Sequence, residues 1–151
     1  MLKRLLPSAA DFTYRGGRIA PWLLGFILFL KLAIAFGAIF NGHYAASVAD
    51  GIPIDTYTPS GAQTVLALFG ALGVAQILIC LLGAMIVFKY QALVPVFALL
   101  LILEYAARKG ITAAIPIVRS GGSAGGAVNW AIFGLMVLAF VLSLRQGQTK
   151  G

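Results

Sequence analysis

"FILFLKLAIAF", residues 26–36, sets one lysine, Lys31, among ten apolar neighbours. An ammonium group in such company is costly unless something pairs with it. The apolar run continues both ways, from Ile19 to Phe40, bounded by Arg15 and Arg18 before it and by Asn41–Gly42 after it. Helical residues rise 1.5 Å each, so a run of this length matches a hydrocarbon core roughly 30 Å thick. It exceeds the apolar core of about 7–15 residues in a signal peptide, so it reads as a retained span despite the cleavage-like "HYAAS" that follows.

Composition extends this reading to the whole chain. Of 151 residues, 61% are hydrophobic and 10% charged, too few charges to solvate a globular surface. Three more apolar segments follow, at about 60–88, 92–109 and 127–144. Strands with open edges leave unpaired backbone in lipid, so the expected fold is all-α: an integral membrane four-helix bundle with short loops. The expected organisation is a basic interfacial segment at 1–18, a four-span domain at 19–146 and a tail at 147–151.

Local signals place the helix ends. Gly42 suits a left-handed cap for the first span. Thr58 suits an N-cap with Pro59 at the first helical position, and Ser60–Gln63 has capping-box spacing. The third segment is interrupted: its apolar run stops at Leu103, so it spans only with Glu104 in the membrane and Arg108 and Lys109 reaching the far interface. Trp22, Tyr90 and Trp130 fall near expected span ends, as interfacial aromatics do. "RSGGSAGG", residues 119–126, has the composition of a flexible exposed loop.

Lysine and arginine counts orient the bundle. Lys3, Arg4, Arg15, Arg18, Lys89, Arg145 and Lys150 lie on one side, against Arg108, Lys109 and Arg119 on the other. Both termini are therefore expected in the cytoplasm, in a bacterial inner membrane. The leucines and Phe12 among the basic residues of 1–18 suit a segment lying on an anionic lipid surface.

Several function classes find no support. The net charge of +7 is spread along span ends rather than gathered on one face, which argues against nucleic acid. Cys80, the single cysteine, excludes an intrachain disulfide and multi-cysteine metal sites, and its apolar setting suits a small hydrophobe. His43, Asp50 and Asp55 share a polar loop without metal-ligand spacing, and "DG" there is a turn signal. Neither a nucleophile with a nearby base nor a phosphate loop is present, so no enzyme, cofactor or metal is expected.

What remains is a polar layer. Counted from the same side, Lys31 lies roughly 16 Å deep, and Glu104 and Gln76 roughly 18 Å. A charge there costs about 2.5–3.5 kcal/mol on insertion scales. Lys31 and Glu104 are therefore expected to pair inside the bundle, with Gln76 satisfying leftover donors or acceptors. Glu104 and Arg108, four apart on one helix, offer a local alternative that need not exclude the first. Ala67, Ala71 and Ala75, with Gly70 and Gly73 nearby, are small enough for close helix packing, within the bundle or against a second copy. In size alone the chain is similar to small bacterial four-span proteins; no motif carries anything over. The expected function is a non-enzymatic accessory or assembly subunit of a larger membrane complex. The alternative is a small dimeric carrier of protons or solutes, using Lys31–Glu104.

Overall fold

The computed structural model describes residues 14, 16–120 and 124–145, all of it helix, turn or loop without strand. Four long helices carry the fold: α1 (Ile19–Phe40), α2 (Pro59–Phe88), α3 (Val94–Ala114) and α4 (Ala124–Leu144). Each is long and apolar enough to cross a bilayer. The expected bounds of α1 are met at both ends. The third helix runs beyond the expected 109, because its last turns, with Gly110 and Ala113–Ala114, have nothing to stop them before Ile115. The fourth begins before the expected 127: Gly125 and Gly126 are helical rather than loop. The readings made for residues 1–13 and 146–151 lie outside the described residues.

The helices alternate in direction. α1 packs chiefly against α2 and α4, and α3 against α4, while α2 and α3 meet only lightly. Small residues set the α1–α2 approach. A Cβ on Gly73 would lie 2.9 Å from the Ala35 carbonyl oxygen and 2.7 Å from Ile39 Cγ1. A Cβ on Gly83 would fall 2.6 Å from Phe97 and 2.7 Å from Leu28.

The core is concentrated toward the end of the bundle that holds the start of α1. Ala20, Leu24, Ile27, Leu28, Ile86, Val94, Phe97, Leu101, Met136 and Ala139 are all buried there or just above. Gly17 closes this end by donating its N–H to the Leu142 carbonyl near the end of α4 at 3.3 Å, an oxygen that also accepts from Arg145 N. Tyr14 donates its hydroxyl to Gly17 O, and burial pushes its pKa up to about 12.

The opposite end is built differently. α2 has 30 residues, about 45 Å, against about 33 Å for α1, so its first turns project past the bundle. A second small core, Ala46, Ile52 and Ile54 with Val65, Leu66 and Phe69, folds the 41–58 loop against that projection. Thr58 caps α2 by accepting from Gly61 N at 3.2 Å, with Pro59 in the first turn, as expected. Gln63 closes no capping box. Gly42 is not left-handed: the Asn41 N–H satisfies Gly37 O and the chain runs on into a turn at Gly42–Tyr44. The positive φ, 71°, falls instead at Gly51 of the "DG" turn. The 115–120 loop is tied down too, by Ser120 N to Gly51 O at 2.9 Å and Arg119 Nε to Asp50 O at 3.0 Å. Gly125 brings the start of α4 against the Ala49 carbonyl.

Candidate functional site

Lys31 lies halfway along α1, with its side chain 5% exposed. Its Nζ is 3.3 Å from Glu104 Oε2 on α3, across the diagonal of the bundle. Arg108, one turn further along α3, holds the other carboxylate oxygen, NH2 to Oε1 at 2.8 Å. Both expected pairings therefore form at once, and one carboxylate serves two cations. Physical necessity accounts for the arrangement. Lys31 shares the buried face of α1 with Ile27, Leu28 and Ala35, and an acid on a facing helix is the available counter-charge.

Gln76 does not join them. Its Nε2 lies 3.9 Å from Cys80 Sγ, and that sulfur in turn lies 3.6 Å from the Leu28 carbonyl oxygen. Gln76 lies on the inward face of α2 with Gly73 and Cys80, but its amide reaches a same-helix neighbour one turn away instead of the pair. Cys80 is buried, in keeping with a small hydrophobe, and its thiol links α2 to α1.

The site extends toward the loops through residues not singled out together by the sequence. Asp50, after the wide turn Ala45–Ala49, lies within electrostatic reach of Arg119, Arg108 and Lys109. Burial nevertheless dominates, and pushes the Asp50 carboxyl above the usual range. Lys109 leaves the ionic row and lies over two rings, 5.7 Å from the Tyr105 centroid and 5.5 Å from that of Trp130. Tyr105 stacks on Phe133 at 4.8 Å, and its buried hydroxyl has no hydrogen-bond partner. Trp130 thus sits inside α4 against Tyr105 and Phe133 as well as near the helix end. The i, i+4 spacing to Lys109 was a readable signal for Tyr105. Nothing local foretold Asp50, which is far from α3 in sequence.

The remaining expected groups part company. His43 Nε2 and Asp55 Oδ1 pair at 3.0 Å on the exposed loop, away from Asp50. Among the described residues no set of three or more His, Cys, Asp or Glu is placed to hold a metal. Of the small residues of α2, Gly73 packs against α1, but Ala67, Ala71 and Ala75 face outward and Gly70 has open space beyond it. The helix carries two small-residue faces, and among the described residues only one is packed against the rest of the bundle. No protein-family model, curated protein or solved structure matches this chain.

Proposed function

We propose that this chain is an integral membrane protein acting as a non-enzymatic subunit of a larger membrane complex, joined to it by the outward face of α2. The observation carrying the reading is that face. Its buried residues are Gly73, Cys80, Gly83 and Ile86, whereas Ala67, Ala71 and Ala75 form an exposed strip flanked by Leu68, Leu72 and Leu78. Small residues spaced by four let helix backbones approach closely in lipid, where no hydrophobic force drives association. The Lys31–Glu104–Arg108 cluster then fixes the register of α1 against α3. Both termini lie in the cytoplasm of a bacterial inner membrane. With α3 running to Ala114, Arg108 and Lys109 belong to a span, and Arg119 is the lysine or arginine left in the described outer loops. The lysine and arginine bias is therefore steeper than the sequence suggested.

The test is extraction in mild detergent with identification of what travels with the wild type and with Ala71→Phe. The reading requires a defined membrane partner that is lost from a variant whose helical circular dichroism is unchanged. A chain that travels alone, or a partner retained by Ala71→Phe, refutes it.

A second reading, a small dimeric proton-coupled carrier, draws on the partial exposure of Glu104, 28%, beside Lys31. Proton flux into liposomes of pure protein, abolished by Glu104→Gln, would establish it in place of the first.

A further inference from the structure

The two halves of the bundle differ in what lies along the axis. On the side where α1 begins, the space below Lys31 and Glu104 is closed by buried Leu24, Ile27, Leu28, Phe97 and Leu101. On the loop side, charge replaces this packing. Glu104 is 28% exposed and Arg108, one turn nearer the loops, is 49% exposed. The pair is exposed toward the loops through Glu104 and Arg108.

The charges on that side do not balance. Glu104 is shared by Lys31 and Arg108. Asp50 lies within reach of Arg119, Arg108 and Lys109. Asp55, the remaining carboxylate of the described loops, is occupied with His43. Glu104 and Asp50 thus serve Lys31, Arg108 and Arg119, with Lys109 drawn off onto the Tyr105 and Trp130 rings, which leaves a surplus of positive charge on this side. Arg108 spends one end of its guanidinium on Glu104, and a planar guanidinium can engage an oxyanion through a second edge.

We infer that the loop-side half of the bundle is an anion site in which Arg108 takes a carboxylate or phosphate group, with Glu104 as the resident competitor for the same cations. The group belongs either to a free anion entering from the loop side or to the headgroup of an anionic lipid at that interface. The inference is independent of the partner proposed above: it concerns the interior of the bundle, not the outer face of α2.

The experiment uses the full chain in nanodiscs, with thermal unfolding as readout. Inorganic phosphate is titrated into discs of phosphatidylcholine, and separately phosphatidylglycerol replaces part of the lipid. Wild type, Arg108→Gln and Glu104→Gln are compared. Arg108 is half-exposed, so its replacement leaves a folded protein. The expected result is stabilisation of the wild type by one anion source, loss of that response in Arg108→Gln, and a response at about tenfold lower anion level in Glu104→Gln, which removes the competing carboxylate. Saturation by phosphate in neutral discs identifies a free anion; a response to phosphatidylglycerol alone identifies a headgroup. No response in wild type overturns the inference, even where Glu104→Gln responds. So does a response undiminished in Arg108→Gln, which would assign it to basic residues elsewhere.

Discussion

Removing either member of the Lys31–Glu104 pair has unequal consequences, and the inequality follows from Arg108. In Lys31→Met the carboxylate keeps its 2.8 Å contact with Arg108, and a flexible apolar chain fills the space of the lysine stem. The buried ammonium, with its desolvation cost, is gone. The net loss is expected below about 2 kcal/mol. In Glu104→Gln the ammonium, 5% exposed, loses its counter-charge and faces a second cation. Lys31 and Arg108 hold opposite oxygens of one carboxylate, so they lie within about 8 Å of each other, where repulsion at an effective dielectric near 20 is about 2 kcal/mol. With the stranded charge included, the loss is expected at about 3–5 kcal/mol. In the double variant Arg108, half-exposed, stays free to reach toward the interface, and stability should recover by about 2–3 kcal/mol relative to Glu104→Gln. Reversible unfolding in mixed micelles, followed by far-ultraviolet circular dichroism, measures all four proteins. Additive losses, or a Lys31→Met cost as large as that of Glu104→Gln, would refute the shared-carboxylate account.

Gly73→Val should separate α1 from α2, since its side chain would press on the Ala35 carbonyl and Ile39; a loss of at least about 2 kcal/mol is expected in the same unfolding assay. Asp50→Asn should be more stable than wild type at neutral pH, because burial raises the folded carboxyl pKa above its ordinary 3.8 while the Arg119 bond goes to the Asp50 main chain and survives. For the same reason the native state holds the Asp50 proton more tightly than the unfolded chain. Wild type should therefore gain stability relative to Asp50→Asn as pH falls from neutral through the raised value toward 3.8, which melting temperatures across pH will show. Trp130→Leu removes one of the two rings beneath Lys109 and should cost about 1 kcal/mol, a loss that shrinks when Lys109 is already Met.

How much of this was readable beforehand divides along physical lines. Apolar length is a one-dimensional property, so the four helices, the cap at Thr58 and the level shared by Lys31 and Glu104 could be read directly. The pairing itself followed from cost: a buried ammonium needs an acid, and Glu104 was the carboxylate at its depth. Rotation about the helix axis is harder to read, because α2 is apolar nearly all round and carries no polar stripe to orient it. Depth and face alone do not fix a partner either: Gln76 lies on the inward face with Gly73 and Cys80, yet its amide meets Cys80 instead of the ion pair, and Ala67, Ala71 and Ala75 could not be told from Gly73. The loops resisted for another reason. Asp50 and Arg119 meet through tertiary packing of two segments that share no pattern, and the glycines of "RSGGSAGG" signalled flexibility where Gly125 instead permits close approach to Ala49.

The position of the charges also bears on why such a costly group is kept. A leucine at position 31 would pack against Leu28 and Ala35 without needing Glu104 at all, and replacing buried ion pairs by apolar groups is often neutral or stabilising. Stability alone is thus a poor reason for the lysine. Its geometric effect is stronger: α1 and α3 are diagonal neighbours with little direct packing, and the ammonium–carboxylate contact joins them at one height. Below that height the bundle is sealed by hydrocarbon; above it, Arg108, Lys109, Asp50 and Arg119 take over. Lys31 marks the floor of the polar half. If it served only to hold register, Lys31→Met alone should leave anion response and partner retention unchanged. If the floor matters, Lys31→Met should keep the partner bound through α2 while raising the anion level needed for a response, because Glu104, released by Lys31, would hold Arg108 more tightly.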